Sequence, residues 1–103
     1  MFATVRRYEG IDSTNVDELT KKVGDSLAPR LSKLPGFSSY FLIDTGNGVM
    51  SSIGLFETST QADESTRVAS EWVRDEKLEN ILQNPPKVTD GEVIVHKLNG
   101  IKA

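Results

Sequence analysis

An α+β fold, with a four-stranded antiparallel sheet carrying two helices on one face, is predicted by three observations. Residues 34–57, LPGFSSYFLIDTGNGVMSSIGLFE, contain two apolar, β-rich runs, Phe37 to Ile43 and Val49 to Phe56. Between them Asp44-Thr45-Gly46-Asn47-Gly48 tolerates positive φ and favours a tight reversal, so the pair reads as a β-hairpin. A segment with helical apolar spacing flanks the hairpin on each side, and one more strand-like run lies outside each of those. The order is β-α-β-β-α-β, which right-handed crossovers fold into the ferredoxin-like arrangement.

The first strand is expected over Phe2 to Glu9, where Phe2, Thr4, Arg6 and Tyr8 alternate with Ala3, Val5 and Arg7. Gly10 to Asn15 then supplies a turn and N-cap candidates, Thr14 with Asp17 or Asn15 with Glu18. In the first helix Val16, Leu19, Val23, Leu27, Leu31 and Leu34 form one apolar stripe. Pro29 lacks a backbone donor and crowds the preceding turn, which predicts a kink near Asp25 to Ala28, or a short break, before the helix stops at Pro35-Gly36.

After the hairpin, Thr58-Ser59-Thr60 can cap a second helix whose inward face is Ala62, Ser65, Ala69, Trp72 and Val73. Leu78, Ile81 and Leu82 continue that pattern past a bend, and Asn84-Pro85-Pro86 ends it. The last strand is expected over Glu92 to Leu98, after a turn at Asp90-Gly91. Residues 1–98 thus form a single ferredoxin-like domain, and 99–103 a C-terminal tail.

The 103 residues carry twelve Lys and Arg against fifteen Asp and Glu, a formal charge of −3. With no basic face, a nucleic-acid partner is not expected. The absence of cysteine excludes disulfides, thiolate metal sites and cysteine nucleophiles. No apolar run suits a signal peptide or a membrane span, so a cytoplasmic protein with no membrane partner is expected.

Two helices cover one face of the sheet only, yet Tyr40-Phe41-Leu42-Ile43 and Val93-Ile94-Val95 are apolar on both faces. A second copy packed sheet against sheet would bury the other face, which predicts a homodimer.

Among the residues able to carry chemistry, Trp72 suits the aromatic wall of a pocket, beside the small Ser65 and Ala69, or plain core filling. Arg6, Tyr8 and Tyr40 can hold a phenol or carboxylate through guanidinium and hydroxyl donors; as bland alternatives they are a surface arginine and strand-end tyrosines. His96 is the only histidine, and no co-ligand pattern surrounds it, so a packed or interface role competes with a site role. No His/Asp/Glu set has metal-ligand spacing. Gly46-Asn47-Gly48 is a turn and not a phosphate loop, because no helix or lysine follows it.

Arg7-Tyr8-Glu9-Gly10 at the end of the first strand, Leu34-Pro35-Gly36-Phe37 after the first helix, Tyr40, Ser52 and Phe56 in the hairpin, and Trp72-Val73 in the second helix resemble the dimeric α/β-barrel superfamily. Within it they are most similar to the antibiotic biosynthesis monooxygenase-like group. The resemblance implies a ligand pocket between sheet and helices, with Trp72 in its lining. It also implies oxygenase chemistry on a phenolic or quinol-like substrate without metal, flavin or other cofactor. The haem-degrading branch fits poorly, since the second helix has no histidine and the first strand no asparagine.

The expected ligand-binding set is therefore Trp72, Tyr40, Tyr8, Arg6, Ser65 and His96, around a small aromatic ligand, with no catalytic residue assigned. The alternative is a non-catalytic ligand-binding or interaction module on the same dimeric fold. An RNA-binding domain ranks last, because Val49 to Phe56 lacks exposed aromatics.

Overall fold

The computed structural model describes residues 1–97. Strand β1 (Phe2–Tyr8) is followed by a 3₁₀ turn (Ser13–Asn15), helix α1 (Val16–Lys22), a π-turn (Val23–Leu27) and helix α2 (Ala28–Ser32). Strands β2 (Phe37–Gly46) and β3 (Val49–Phe56), helix α3 (Ser59–Asp75) and strand β4 (Lys87–Glu92) complete the chain. The four strands form one antiparallel sheet in the order β2-β3-β1-β4, with the helices packed on one face, which is the ferredoxin-like fold.

The hairpin turns at Asn47 (φ 57°) and Gly48 (φ 76°). Two successive positive φ values match the right-handed strand twist, and so β2 runs on to Gly46, three residues beyond the predicted end. Asp12, rather than Thr14 or Asn15, caps the first helical segment: its Oδ1 accepts the Thr14 N–H at 2.9 Å, and Asn15 makes no side-chain cap bond.

Pro29 acts where expected, but it leads to a π-turn and not a break. Its ring nitrogen cannot donate, and the Ala28 N–H reaches back to the carbonyl of Val23, five residues earlier. The apolar stripe explains why this widening is tolerated. Leu19, Val23, Leu27 and Leu31 are spaced strictly by four, and all are buried. Four residues overshoot the 3.6 of a straight α-helix, so the stripe would rotate out of the core unless one turn held an extra residue. The helix ends at Ser32, short of Pro35-Gly36.

Thr58 and Gln61 form a full capping box at the start of α3, and Ala62, Ser65, Val68, Ala69 and Trp72 face the core. The helix stops at Asp75 in a Schellman closure: Lys77 takes φ 56°, Leu78 N–H bonds Val73 O at 2.9 Å, and Lys77 N–H bonds Arg74 O at 3.1 Å. Leu78 is part of the buried core and Val73, partly buried, packs against it, in keeping with the apolar contact that usually accompanies this motif.

The last strand lies earlier than predicted. β4 pairs Lys87 to Glu92 with Arg7 to Phe2, so Asp90 and Gly91 are in the strand rather than in a turn before it. The ladder ends with Val93 N–H bonded to Met1 O at 2.9 Å. Residues 93–97 are therefore outside the sheet, and Ile94 (87%) and Val95 (82%) are exposed despite their strand propensity. Leu98 and the expected tail, 99–103, lie outside the described residues.

Candidate functional site

Alternation along β1 turns Thr4, Arg6 and Tyr8 toward the helices, and the antiparallel register places Ser52 of β3 opposite Arg6 and Leu42 of β2 opposite Ser52. Arg6 is not the surface arginine that its type suggests, for only 1% of it is exposed. Its Nη1 donates to Thr66 Oγ1 of α3 at 3.2 Å, and that hydroxyl lies 3.3 Å from Thr4 Oγ1. Among the described residues, Arg6 Nε and Ser52 Oγ are buried and make no hydrogen bond. Among the described residues no carboxylate forms an ion pair with Arg6.

Arg6, Tyr8, Tyr40, Ser52 and Trp72 converge on one cavity between the sheet and the helices. Its apolar walls come from the π-turn and α1 (Leu19, Val23, Leu27) and from Met50. The space left inside is about 20 Å³, room for roughly one or two waters. Clefts of about 250 and 260 Å³ open on either side. One shares Tyr8, Val73 and Leu82 with the cavity, and the other shares Val23, Tyr40, Leu42 and Met50.

Trp72 is 1% exposed, and its Nε1–H donates to Ser26 Oγ at 2.9 Å. It is at once cavity wall and core residue. Burial pushes the phenols of Tyr8 and Tyr40 above their ordinary value of 10.0, and the positive charge of Arg6 opposes that rise at both. Both therefore stay protonated at neutral pH and can donate as well as accept.

Four of the six expected residues thus meet: Arg6, Tyr8, Tyr40 and Trp72. Ser65 is buried but outside the cavity, and its hydroxyl donates to Ala62 O of its own helix at 2.6 Å. His96 is exposed in the segment beyond β4, away from the cavity. Sequence reasoning missed Ser26 as the indole's partner and left Ser52 without a role. The spacing of Pro29 after Ser26 signals a distorted turn there, but nothing local says that this turn meets Trp72.

No family model matches the chain, and no curated protein does. Among solved structures it is similar to the NE2512 protein of unknown function from Nitrosomonas europaea, at 17% identity and a TM-score of 0.75, covering 96% of this chain and 94% of that one. It is also similar to the monooxygenase from the ActVA-Orf6 gene of Streptomyces coelicolor, solved with the ligand nanaomycin D, at 16% identity and a TM-score of 0.72 over 96% of this chain and 92% of that one. The fold is that of the antibiotic biosynthesis monooxygenase-like dimeric α/β barrels. A dimeric ferredoxin-like protein from an uncultured marine organism shares it at 12% identity and a TM-score of 0.68, over 95% of this chain and 98% of that one.

In this fold the cavity sits where Trp72 of α3 faces the inner row of β1, β3 and β2. Among the described residues no group of three His, Asp or Glu side chains is placed to hold a metal ion, and no helix is long and apolar enough to cross a membrane.

Proposed function

We propose that this chain is a cytoplasmic small-molecule-binding protein, and that it acts as a cofactor-independent monooxygenase on a phenolic or quinol-like substrate held beside Trp72. The convergence of Trp72, Tyr8, Tyr40 and Arg6 on one cavity carries this reading, on a fold shared with a monooxygenase solved with nanaomycin D. Trp72 offers a flat apolar wall to an aromatic ring, and the two phenols and the guanidinium offer donors to its oxygens.

In that reaction a phenol goes to a quinone: one atom of O₂ enters the ring, the other leaves as water, and the substrate supplies all the electrons. The protein's part is to position the ring and to stabilise the phenolate from which electrons depart, a task for a buried cation in a water-poor site. The two side clefts, which share walls with the cavity, are the routes by which a ligand larger than the enclosed space would reach Trp72.

The partner is a second copy of the chain. Val5, Ile53 and Phe41 form one row across β1, β3 and β2 on the face opposite the helices, and Phe41 (52%) and Ile43 (42%) stay exposed in the single chain. A two-fold pairing of these faces buries the patch twice.

The small enclosed volume favours a second reading, a non-catalytic binding module in which Trp72 is mainly core. Titration of Trp72 emission with phenols and quinols, with oxygen uptake followed on each binder, separates the two. Oxygen consumption that disappears in Trp72→Phe and Tyr40→Phe supports the oxygenase. Saturable binding without oxygen uptake supports the module, and emission unmoved by any aromatic compound overturns the pocket itself.

A further inference from the structure

Arg6 poses a physical problem that the aromatic pocket does not answer. A guanidinium is always charged, and taking it out of water costs several kcal/mol unless an anion and a full set of acceptors compensate. Among the described residues Nη1 donates to the neutral hydroxyl of Thr66, and the phenols of Tyr8 and Tyr40 lie close enough to feel the guanidinium, but all three are neutral and none supplies a counter-charge. The Nε–H is buried with no protein partner, and no carboxylate among the described residues offsets the charge. Directly across the β1–β3 ladder a second buried donor, Ser52 Oγ, lies near the Tyr40 phenol but makes no well-formed hydrogen bond among the described residues. Both residues line the cavity.

We propose that Arg6 and Ser52 form a receptor for an oxyanion, a carboxylate or an ionised phenol, carried by an otherwise apolar ligand. This rests on the reading of the cavity as a ligand site and narrows it to acidic ligands. The guanidinium presents a planar edge of N–H groups suited to an oxyanion, and Ser52 adds a hydroxyl donor from the neighbouring strand. The remaining cavity wall is largely apolar, so the ligand's own body need carry no other charge. The oxyanion supplies the counter-charge that the fold omits, which makes binding of the acid and stability of the occupied protein two expressions of one contact.

Two probes of different size test it. Formate, the smallest carboxylate, probes the small space beside Arg6, and its effect on the melting temperature is compared with that of formamide, its neutral isostere. The second pair is 2-naphthoate and 2-naphthamide, followed by Trp72 emission. The expected result is that formate, but not formamide, raises the melting temperature of the wild type, and that Arg6→Met abolishes the rise. 2-Naphthoate should bind more tightly than the amide, and Arg6→Met should weaken it by roughly ten- to a hundredfold, the scale of a hydrogen bond to a charged group.

Ser52→Ala, which removes only an unpartnered hydroxyl, should keep the fold and weaken the naphthoate by a few fold, so the test survives if Arg6→Met does not fold. The absorption of bound 4-nitrophenol tells the sources apart: an ionised spectrum shows that the receptor takes phenolates, and a neutral one confines it to carboxylates. If naphthoate and naphthamide bind alike and neither Arg6→Met nor Ser52→Ala changes that, the oxyanion receptor is overturned while the aromatic pocket stands. If formate stabilises the wild type and not Arg6→Met, but no naphthyl compound binds, the receptor stands and the aromatic pocket falls.

Discussion

The indole N–H of Trp72 donates to the hydroxyl of Ser26 at 2.9 Å, and this bond ties the last turn of α3 to the π-turn that Pro29 leaves in the first helical segment. The distorted turn thereby holds the large aromatic side chain that walls the cavity. Ser26→Ala leaves the buried indole N–H without an acceptor, which costs about 1–3 kcal/mol. The expected outcome is a lower denaturation midpoint with an unchanged m-value, and altered Trp72 emission. An unchanged midpoint would mean that the bond does not hold the indole in solution.

The two tyrosines set an alkaline limit on stability. Both phenols have folded-state pKa values above the ordinary 10.0, raised by burial. The unfolded chain therefore releases these protons first as pH rises. Between about 10 and the raised folded values the native state holds more protons than the unfolded state, so stability falls with increasing pH in that window and is unaffected by these groups below it. Because Tyr8 and Tyr40 are the only tyrosines, tyrosinate absorbance reports them alone. It should appear together with unfolding above pH 10, and the double variant Tyr8→Phe/Tyr40→Phe should flatten the alkaline loss.

The outer face of the sheet predicts the oligomeric state. Sedimentation should show a dimer, and Phe41→Glu should raise its dissociation constant by roughly a hundredfold or more, as loss of a central interface anchor does. The far-ultraviolet circular dichroism should stay unchanged. A wild-type monomer at high micromolar concentration would remove the dimer from this account.

Gly48 and Gly46 separate backbone strain from packing. Both have positive φ, 76° and 85°, but a Cβ at Gly48 would lie 2.5 Å from the carbonyl oxygen of Ile11, whereas one at Gly46 meets nothing within 4 Å. Gly46→Ala is expected to cost about 1–2 kcal/mol from conformation alone. Gly48→Ala should cost more, since the Ile11 N–H bond to Gly48 O at 3.0 Å holds the two backbones together. Equal losses of stability would show that this loop yields freely.

Much of the fold was legible because its signals are local. Asp44 to Gly48 marks the reversal, Thr58 stands among the cap candidates of α3, and Pro29 marks the distortion of the first helical segment. The last strand was misplaced for the opposite reason. Val93 to Val95 have the higher strand propensity, but the register with β1 pairs Lys87 to Glu92 with Arg7 to Phe2, Asp90 and Gly91 included. An edge strand needs only its backbone bonds, and side-chain preference has little weight there.

By itself, the sequence determined the order of elements, the turn, the cap of α3 and the placement of Trp72 on the inward face of its helix, all consequences of backbone freedom and apolar periodicity within a few residues. Alternation also put Arg6 and Tyr8 on one face of the first strand. Only the tertiary structure decided that this face is the inner one. It alone put Ser52 beside Arg6 and Ser26 beneath Trp72, and left Ser65 and His96 out of the cavity. Those outcomes depend on which strand edges and helix turns meet across the core, and burial and partner choice there are properties of the packed chain, set by contacts between residues far apart in sequence.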